Sequence, residues 1–410
     1  MPEIAAALDI VPPAEWGASE LGEEADLING SAFRPEDWKT TGVPIVRIQN
    51  LKDRNAPFNY FQGDPNSKIP LKNGDLLFSW SGSIGTSFGP HYWWGDIAVL
   101  NQHIFRVDIK PKTRVTKPFL YFALLHLTKE IESHAYGLAA LVHVRKGDLE
   151  ATLIPIPPIP EQRKIAAVLG LVQRAIEQQD RLIVLTMELK KALLQKLFTE
   201  GLRGEPQKQT EIGPVPESWE ITKLGSLVNL QTGKLNSNAG TSNGEFPFFT
   251  CSQETFRIDQ YAFETEAILL SGNNAQGVYS VKHYKGKFNA YQRTYVITLK
   301  VKGSMPYSFL HHALSRNLER LRSLSIGTST KYLTLGVIQN LPIPKPEYEE
   351  AERIGSQLQV IDKKIEKVAR KKIILFDLFR TLLHQLMTAQ IRVNDLDVDA
   401  ILAFTDTEST

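Results

Sequence analysis

The 410-residue sequence holds one cysteine, Cys251. That excludes a disulfide framework and any cysteine-cluster metal site. No run of 18 apolar residues occurs, and the first segment, MPEIAAALDIVPPAEW, has no basic stretch followed by an apolar one. Neither a membrane span nor a signal peptide is expected, and the expected location is the cytoplasm. Neither charge is in excess: 47 Lys+Arg against 45 Asp+Glu leaves +2. A whole-chain polyelectrolyte is excluded, whereas a local basic face is not. No GxxxxGK[ST] is present; Gly233-Lys234 and Gly286-Lys287 lack the upstream glycine and the following Ser/Thr, so a phosphate-cradling ATP loop is not expected. No Asn/Asp-Pro-Pro-aromatic tetrapeptide offers a polar side chain to hold an exocyclic amine for methyl transfer. His311 and His312 are adjacent, and adjacent side chains on a helix diverge, so no metal site is expected.

Apolar residues make up 42% of the chain and charged residues 22%, ordinary values for globular protein. The length suggests two or three domains at roughly 150 residues each. An internal repeat decides between them. Pro13-Ala-Glu-Trp16, Leu21-Gly22, Leu27 and Gly30 return as Pro216-Glu-Ser-Trp219, Leu224-Gly225, Leu230 and Gly233, and Val43-Pro44-Ile45-Val46 returns as Phe246-Pro247-Phe248-Phe249. Leu77-Phe78-Ser79 and Gly85 then match Leu269-Leu270-Ser271 and Gly277; Phe119-Leu120 matches Phe309-Leu310; Ile154-Pro-Ile-Pro157 matches Leu341-Pro-Ile-Pro344. The order of matches never changes, so the chain carries two copies of one unit.

Within each copy, short apolar runs broken by Gly, Asn and Asp predict strands, with brief helices at 117–133 and 306–323. A proline-rich stop follows, IPIPPIPEQ in the first copy and LPIPKPEYEE in the second. Proline lacks a backbone donor and opposes helix in the residue before it. Past each stop, apolar residues step by four and three. The second copy runs Ile354, Leu358, Ile361, Ile365, Val368, Lys372, Leu375, Phe379, Leu382, Leu386; the first runs Ile165, Leu169, Val172, Ile176, Gln179, Ile183, Thr186, Lys190, Leu193, Leu197. These are heptad seams on helices of about forty residues, each roughly 60 Å long, and each seam is the other's natural partner. Each helix leaves its own domain and ends near the start of the next copy, so an antiparallel pair with the two domains apart is expected. The linker EGLRGEPQKQTEIGPVPESW is expected to leave about fifteen residues outside regular structure, and the tail after Gln390 is acidic.

Two β-rich units, each followed by a proline stop and a long helix, resemble the DNA-specificity subunits of Type I restriction-modification systems. The residues carrying the resemblance are PAEWGASELG and EIGPVPESWE with LGSLVNLQTG at the two openings, GDLLFSWSGSIG and EAILLSGNNAQG inside the units, IPIPPIPEQRKIAAVL at the first long helix, and LMTAQIRVNDLD at the end. The second helix departs from the pattern, starting with PEYEEAERI. The resemblance covers about residues 13–395. It implies an α+β chain: a first target-recognition domain (1–155), a first coiled-coil helix (156–203), a linker with the second target-recognition domain (204–344), a second helix (345–392) and a tail (393–410). It also implies no active site and no cofactor in this chain. The expected partners are double-stranded DNA, two methyltransferase subunits and two restriction subunits, with no membrane; the partner subunits would use S-adenosylmethionine, ATP and Mg. The rival readings are a self-contained DNA-modifying enzyme and a coiled-coil scaffold that binds only proteins.

A half-site reader needs cations for phosphates, and amides, hydroxyls or arginines for base edges. The second copy offers Lys285, Lys287, Gln292 and Arg293 in one run, Asn273, Asn274 and Gln276 on a loop after a strand, and Lys331 in the loop GTSTKY. The first copy offers Ser81, Ser83, Gln102, His103, Arg145 and Lys146, together with Arg47 and Asn50 after a proline-containing strand. Cys251 takes the strand position of Ile48 and is expected to be an ordinary buried thiol.

Overall fold

The structure is a computed structural model that describes residues 13–53, 56–82, 87–133, 142–275 and 277–393. It divides into two compact units, Met1–Gln178 with Lys372–Thr410, and Gln179–Lys371. Each unit therefore contains part of both long helices, so the division by compactness differs from the linear one expected above.

In the first unit the strands are β1 (Gly17–Glu20), β2 (Ala25–Asn29), β3 (Val43–Val46), β4 (Asn59–Phe61), β5 (Pro70–Leu71), β6 (Asp75–Ser79), β7 (Ser81–Gly82), β8 (Gly89–Trp93), β9 (Ala98–Leu100), β10 (Ile104–Ile109), β11 (Val142–His143) and β12 (Leu153–Ile156). They form sheets in the orders β2-β10-β6-β8 and β4-β3-β9-β5, plus the two-stranded pairs β1-β12 and β7-β11. β6 reads as a continuous apolar run because both its faces are covered. Leu76 and Phe78 enter one core with α1 (Lys117–Ser133), and Leu77 enters a second with Val46, Leu100 and Ile104. Alternate residues on a strand face opposite ways, so one strand divides two cores.

The second unit repeats this plan. β15 (Glu220–Lys223) pairs with β24 (Pro342–Lys345), and β20 (Asn273–Asn274) with β23 (Lys331–Tyr332). β16 (Val228–Thr232), β22 (Thr294–Leu299), β19 (Phe263–Ser271), β21 (Val281–Ala290), β17 (Phe246–Phe249) and β18 (Phe256–Ile258) form one six-stranded sheet in that order. β21 runs unbroken where the first unit has β8, a turn at Trp94–Asp96, and β9, and this joins two sheets into one. β19 divides the cores as β6 does: Ile268 and Leu270 on one side, Ala267 and Leu269 on the other. The linker is more ordered than expected, since β13 (Gln207–Thr210) and β14 (Gly213–Pro216) close a hairpin on Gly213, whose φ is +94°. The 306–323 helix is two pieces, α3 (Tyr307–Arg316) and Leu318–Leu324, broken at Asn317.

The repeat glycines have a steric cause. A Cβ on Gly30 would collide with the Asn101 carbonyl, and one on Gly233 with the Ala290 carbonyl. One sequence match shifts. Ser19 lies opposite Ile154 and Thr222 opposite Ile343, so Ile154-Pro155 corresponds to Ile343-Pro344, two residues beyond the match made on sequence. A slip of two keeps every side chain on its own face and leaves the apolar pattern unchanged, which hides it from a pattern reading.

The long helices are α2 (Ile159–Glu200) and α4 (Tyr348–Met387). Every position of both heptad rulers is buried or half-buried. In the first unit Ile165 and Leu169, near the start of α2, share a core with Phe379, Leu383 and Leu386 near the end of α4. In the second unit Leu197 and Phe198, at the end of α2, share a core with Ala351, Ile354 and Leu358 at the start of α4. The helices are antiparallel. Each β unit is thus closed by the end of the other copy's helix.

One tryptophan locks each helix start to its unit. Trp16 Nε1 donates to Glu161 Oε2 (3.0 Å), and Trp219 Nε1 donates to Glu350 Oε2 (3.2 Å). The other oxygen of Glu161 accepts from Arg392 Nε (2.7 Å), while that of Glu350 accepts from the Leu202 backbone N–H (2.9 Å). PEYEE, the apparent departure in the second copy, keeps the carboxylate at the same place.

Candidate nucleic-acid interface

β19 ends at Ser271 and the chain turns through Gly272. Its N–H donates to the Arg293 carbonyl (2.8 Å), and its own carbonyl accepts from Leu333 N–H (2.8 Å). Beyond it Asn273 lies opposite Tyr332, and Asn274 opposite Lys331. Asn274 Oδ1 accepts from Val278 N–H (3.2 Å); Gln276 lies outside the described residues. Gln292 and Arg293 are exposed, and Gln292 Nε2 donates to Asn236 Oδ1 (3.1 Å). Asn273, Asn274, Gln292, Arg293 and Lys331 therefore meet at one corner, and Asn236 and Tyr332 join them.

The first unit builds the same corner with other side chains. Ser81 lies opposite His143 and Gly82 opposite Val142; Ser83 lies outside the described residues. Gln102 and His103 occupy the positions of Gln292 and Arg293. Gln102 Nε2 and His103 Nε2 are 3.3 Å apart, and the Trp80 ring lies 5.3 Å from His103 and 6.1 Å from His143. Trp80 Nε1 donates to Asn29 Oδ1 (3.2 Å). Burial, and then the neighbouring His143, lower the pKa of His103, so its ring is uncharged at neutral pH. Ser81 is buried, with its carbonyl taken by Ser79 Oγ (2.7 Å). Arg145 and Lys146 are exposed at the start of a short turn of helix, where Lys146 pairs with Glu150 (3.5 Å).

Other candidates stand elsewhere. Lys285 and Lys287 lie on β21 opposite Glu266 and Glu264, at the end of β19 remote from Ser271. At about 3.3 Å per residue, Glu266 is roughly 16 Å along the strand from Ser271. Lys285 pairs with Glu266 (3.4 Å), and the Lys287 ammonium sits over Tyr261 (4.6 Å to the ring centre). The run from Lys285 to Arg293 is therefore two places, not one. Arg47 donates to Asn59 Oδ1 (2.9 Å) and lies over Trp38 (4.8 Å). Asn50 is buried; it accepts from Arg47 N–H and donates to the Ala56 carbonyl, so its amide is spent inside a loop.

Two further readings are corrected. Cys251 is half-buried in a bend after β17, and its thiol donates to the Arg293 carbonyl (3.3 Å); it is not a strand thiol. His311 and His312 do not diverge: their ring centres are 4.8 Å apart, and donor atoms of both converge with Asp362 of α4. Spacing hid this because Asp362 is fifty residues downstream. Trp80, Asn29 and Asn236 were missed as corner residues, because each reaches the corner through a hydrogen bond to a residue more than fifty positions away.

A family model described as the Type I restriction modification DNA specificity domain matches residues 13–187 and 216–375. The chain is 26% identical to the Type I restriction enzyme MjaVIII specificity subunit of Methanocaldococcus jannaschii, over 94% of this chain and 95% of that one. It is 37% identical to the EcoDI specificity subunit of Escherichia coli over a shorter stretch, 38% of this chain and 33% of the relative. In fold it is similar to the S subunit of a Type I restriction-modification system from M. genitalium, with a TM-score of 0.68, 18% identity, and coverage of 93% of this chain and 98% of that one. With both copies matched, over well more than half its length, the chain belongs to the family of Type I restriction-modification DNA specificity subunits.

Proposed function

We propose that each β unit reads one half of an asymmetric, bipartite double-stranded DNA target. The observation that carries this is the pair of corners: equivalent places in the two units, built on the same strand pairings, carry different readers. One has Asn273, Asn274, Gln292, Arg293 and Lys331; the other has Gln102, His103 and His143. Amides and an arginine suit base edges in a major groove, and the cations nearby suit phosphates. Different side chains on the same frame give different half-sites.

The long helices set the spacing between half-sites and dock the other subunits. On α2, Leu182, Val184, Leu185, Met187 and Leu189 are 36–57% exposed, a dense apolar run with partner surface still to cover. In this reading the chain itself is not a catalyst. It works with two methyltransferase subunits using S-adenosylmethionine and two restriction subunits using ATP and Mg, in the cytoplasm.

Gel shifts of the full chain with its methyltransferase, over a salt series, test this. Binding to one bipartite sequence, weakening with salt but keeping its preference, is expected. Modification by the chain alone, or sequence-blind binding, overturns it.

A further inference from the structure

In the second unit, a cavity of about 640 Å³ opens between β21, α3 and α4. His311, His312, Asp362 and Lys190 line it. The repeat supplies a control for this place. The first unit puts Tyr121, Phe122, Gln173 and Phe379 at the four equivalent positions. There, Gln173 Nε2 donates to Tyr121 Oη (3.2 Å), and Phe122 packs on Phe379 with ring centres 6.2 Å apart. The equivalent cleft of the first unit, about 450 Å³, is lined by Tyr121 and Gln173; where that copy has three aromatic rings and a neutral amide, the second has two imidazoles, a carboxylate and an ammonium. Buried ion pairs and unpaired imidazole nitrogens are poor substitutes for well-packed apolar groups where stability alone is concerned.

The geometry points to a site for one divalent transition-metal ion, of the zinc or cobalt type, held by His311, His312 and Asp362. A donor atom from each of the three lies within 4.8 Å of the others, and His312 Nε2 is 3.6 Å from Asp362 Oδ2. An ion about 2.0–2.2 Å from each ligand needs the donors roughly 3.3 Å apart, so side-chain rotation closes the set. His311 Nε2 lies 3.2 Å from the Val281 carbonyl; donation there fixes the tautomer and leaves Nδ1 as a lone-pair donor. That outer hydrogen bond to a backbone carbonyl is the usual support of a metal-bound histidine. His312 is buried, and its Nδ1 meets no partner among the described residues. Burial first, then His311, Lys190 and His283, lower the His312 pKa to about 3, and burial also lowers that of His311. Both rings are neutral at pH 7, the form that binds metal. Two imidazoles and one carboxylate suit zinc, cobalt or nickel better than magnesium or calcium. The cavity leaves room for water in the remaining positions.

The Lys190 ammonium now holds Asp362 in an ion pair. It occupies the cation's place, and an entering metal displaces it. The ion then ties α3 to α4, fixing the recognition sheet on its helix.

The test uses the untagged full-length chain, freed of metal by chelation and titrated with Zn²⁺ by calorimetry and with Co²⁺ by visible absorption. One ion per chain and a raised melting temperature are expected. Lys190→Met should tighten binding about tenfold, since the competing charge is gone. The fourfold graft His311→Tyr, His312→Phe, Asp362→Gln, Lys190→Phe copies the first unit and should abolish binding with the circular dichroism unchanged. If the graft fails to fold, Asp362→Asn alone should weaken binding by about tenfold or more. Absence of a saturable one-to-one step, or undiminished binding in the graft or in Asp362→Asn, overturns the site.

Discussion

The carboxylate at the head of each long helix does more than its sequence context suggests. Glu161 is buried with the Trp16 indole on one oxygen and the Arg392 guanidinium on both. Glu161→Ala strands the Trp16 indole, while Arg392 keeps its ion pair with Glu15 (2.8 Å); the change should cost about 1–3 kcal/mol, measured by denaturant unfolding, and Glu350→Ala, which loses an indole and a backbone N–H, should cost a similar amount. The next residue explains a difference between the copies. Gln162 accepts from Thr116 N–H (2.8 Å), but the equivalent position to Thr116 is Pro306, which has no N–H, and Ala351 replaces the glutamine. His126 gives a pH dependence. Burial, then the neighbouring His384, push its pKa down from 6.5 to about 4. A histidine lowered on folding contributes stability that is complete above about 6.5 and lost as pH falls towards 4. His126→Asn should therefore lose a few degrees less in melting temperature than the parent between pH 7 and pH 4.5. At the reading corners, Gln292→Ala or Asn274→Ala should relax one target position at about 1–3 kcal/mol. Lys285→Ala or Lys287→Ala should instead weaken all sequences and lower the salt slope by about one. Gel shifts on single-base variants distinguish them, and a uniform loss from all four moves Gln292 and Asn274 to the phosphate class.

Among elements, the long helices were the most legible, because a heptad seam is a local pattern repeated many times. Each ruler position is covered, the polar Gln179, Thr186 and Lys190 included. The β units were legible as a repeat but not in register: the two-residue slip at Ile154 is invisible to a period of two. The β13-β14 hairpin escaped notice because QKQT and GPVP offer little apolar alternation. The reading corners were half legible. Gln292 and Arg293 advertised themselves by type, whereas Trp80 and Asn29 act through a hydrogen bond across fifty residues. If α2 measures DNA, four helix-forming residues inserted after Met187 add about 6 Å of rise, against about 3.4 Å per base pair. The spacer should grow by one or two base pairs with both half-sites unchanged. Methylation mapping beside the parent reads this out, and an active variant with an unaltered spacer means that the helix assembles subunits without measuring DNA.

For the whole molecule, modularity follows from two copies with separate cores. Replacing residues 14–150 with another family member's first unit should change one half of the target and leave the half read by residues 217–340, as methylome sequencing would show. The graft must keep a tryptophan for Glu161 and an apolar face for Phe379, Leu383 and Leu386. That last requirement also governs how the protein is made. The core of the first unit takes side chains from Leu386, Met387 and Val393, and Arg392 seals it through Glu161. A ribosome that has finished Gln178 must add roughly 210 further residues, about 10–40 s of synthesis, before those side chains exist. Until then the apolar surfaces of Phe122 and Leu169 wait uncovered, while the second unit, contiguous from Gln179 to Lys371, can assemble as it emerges. The domain that is translated first is the one that finishes folding last.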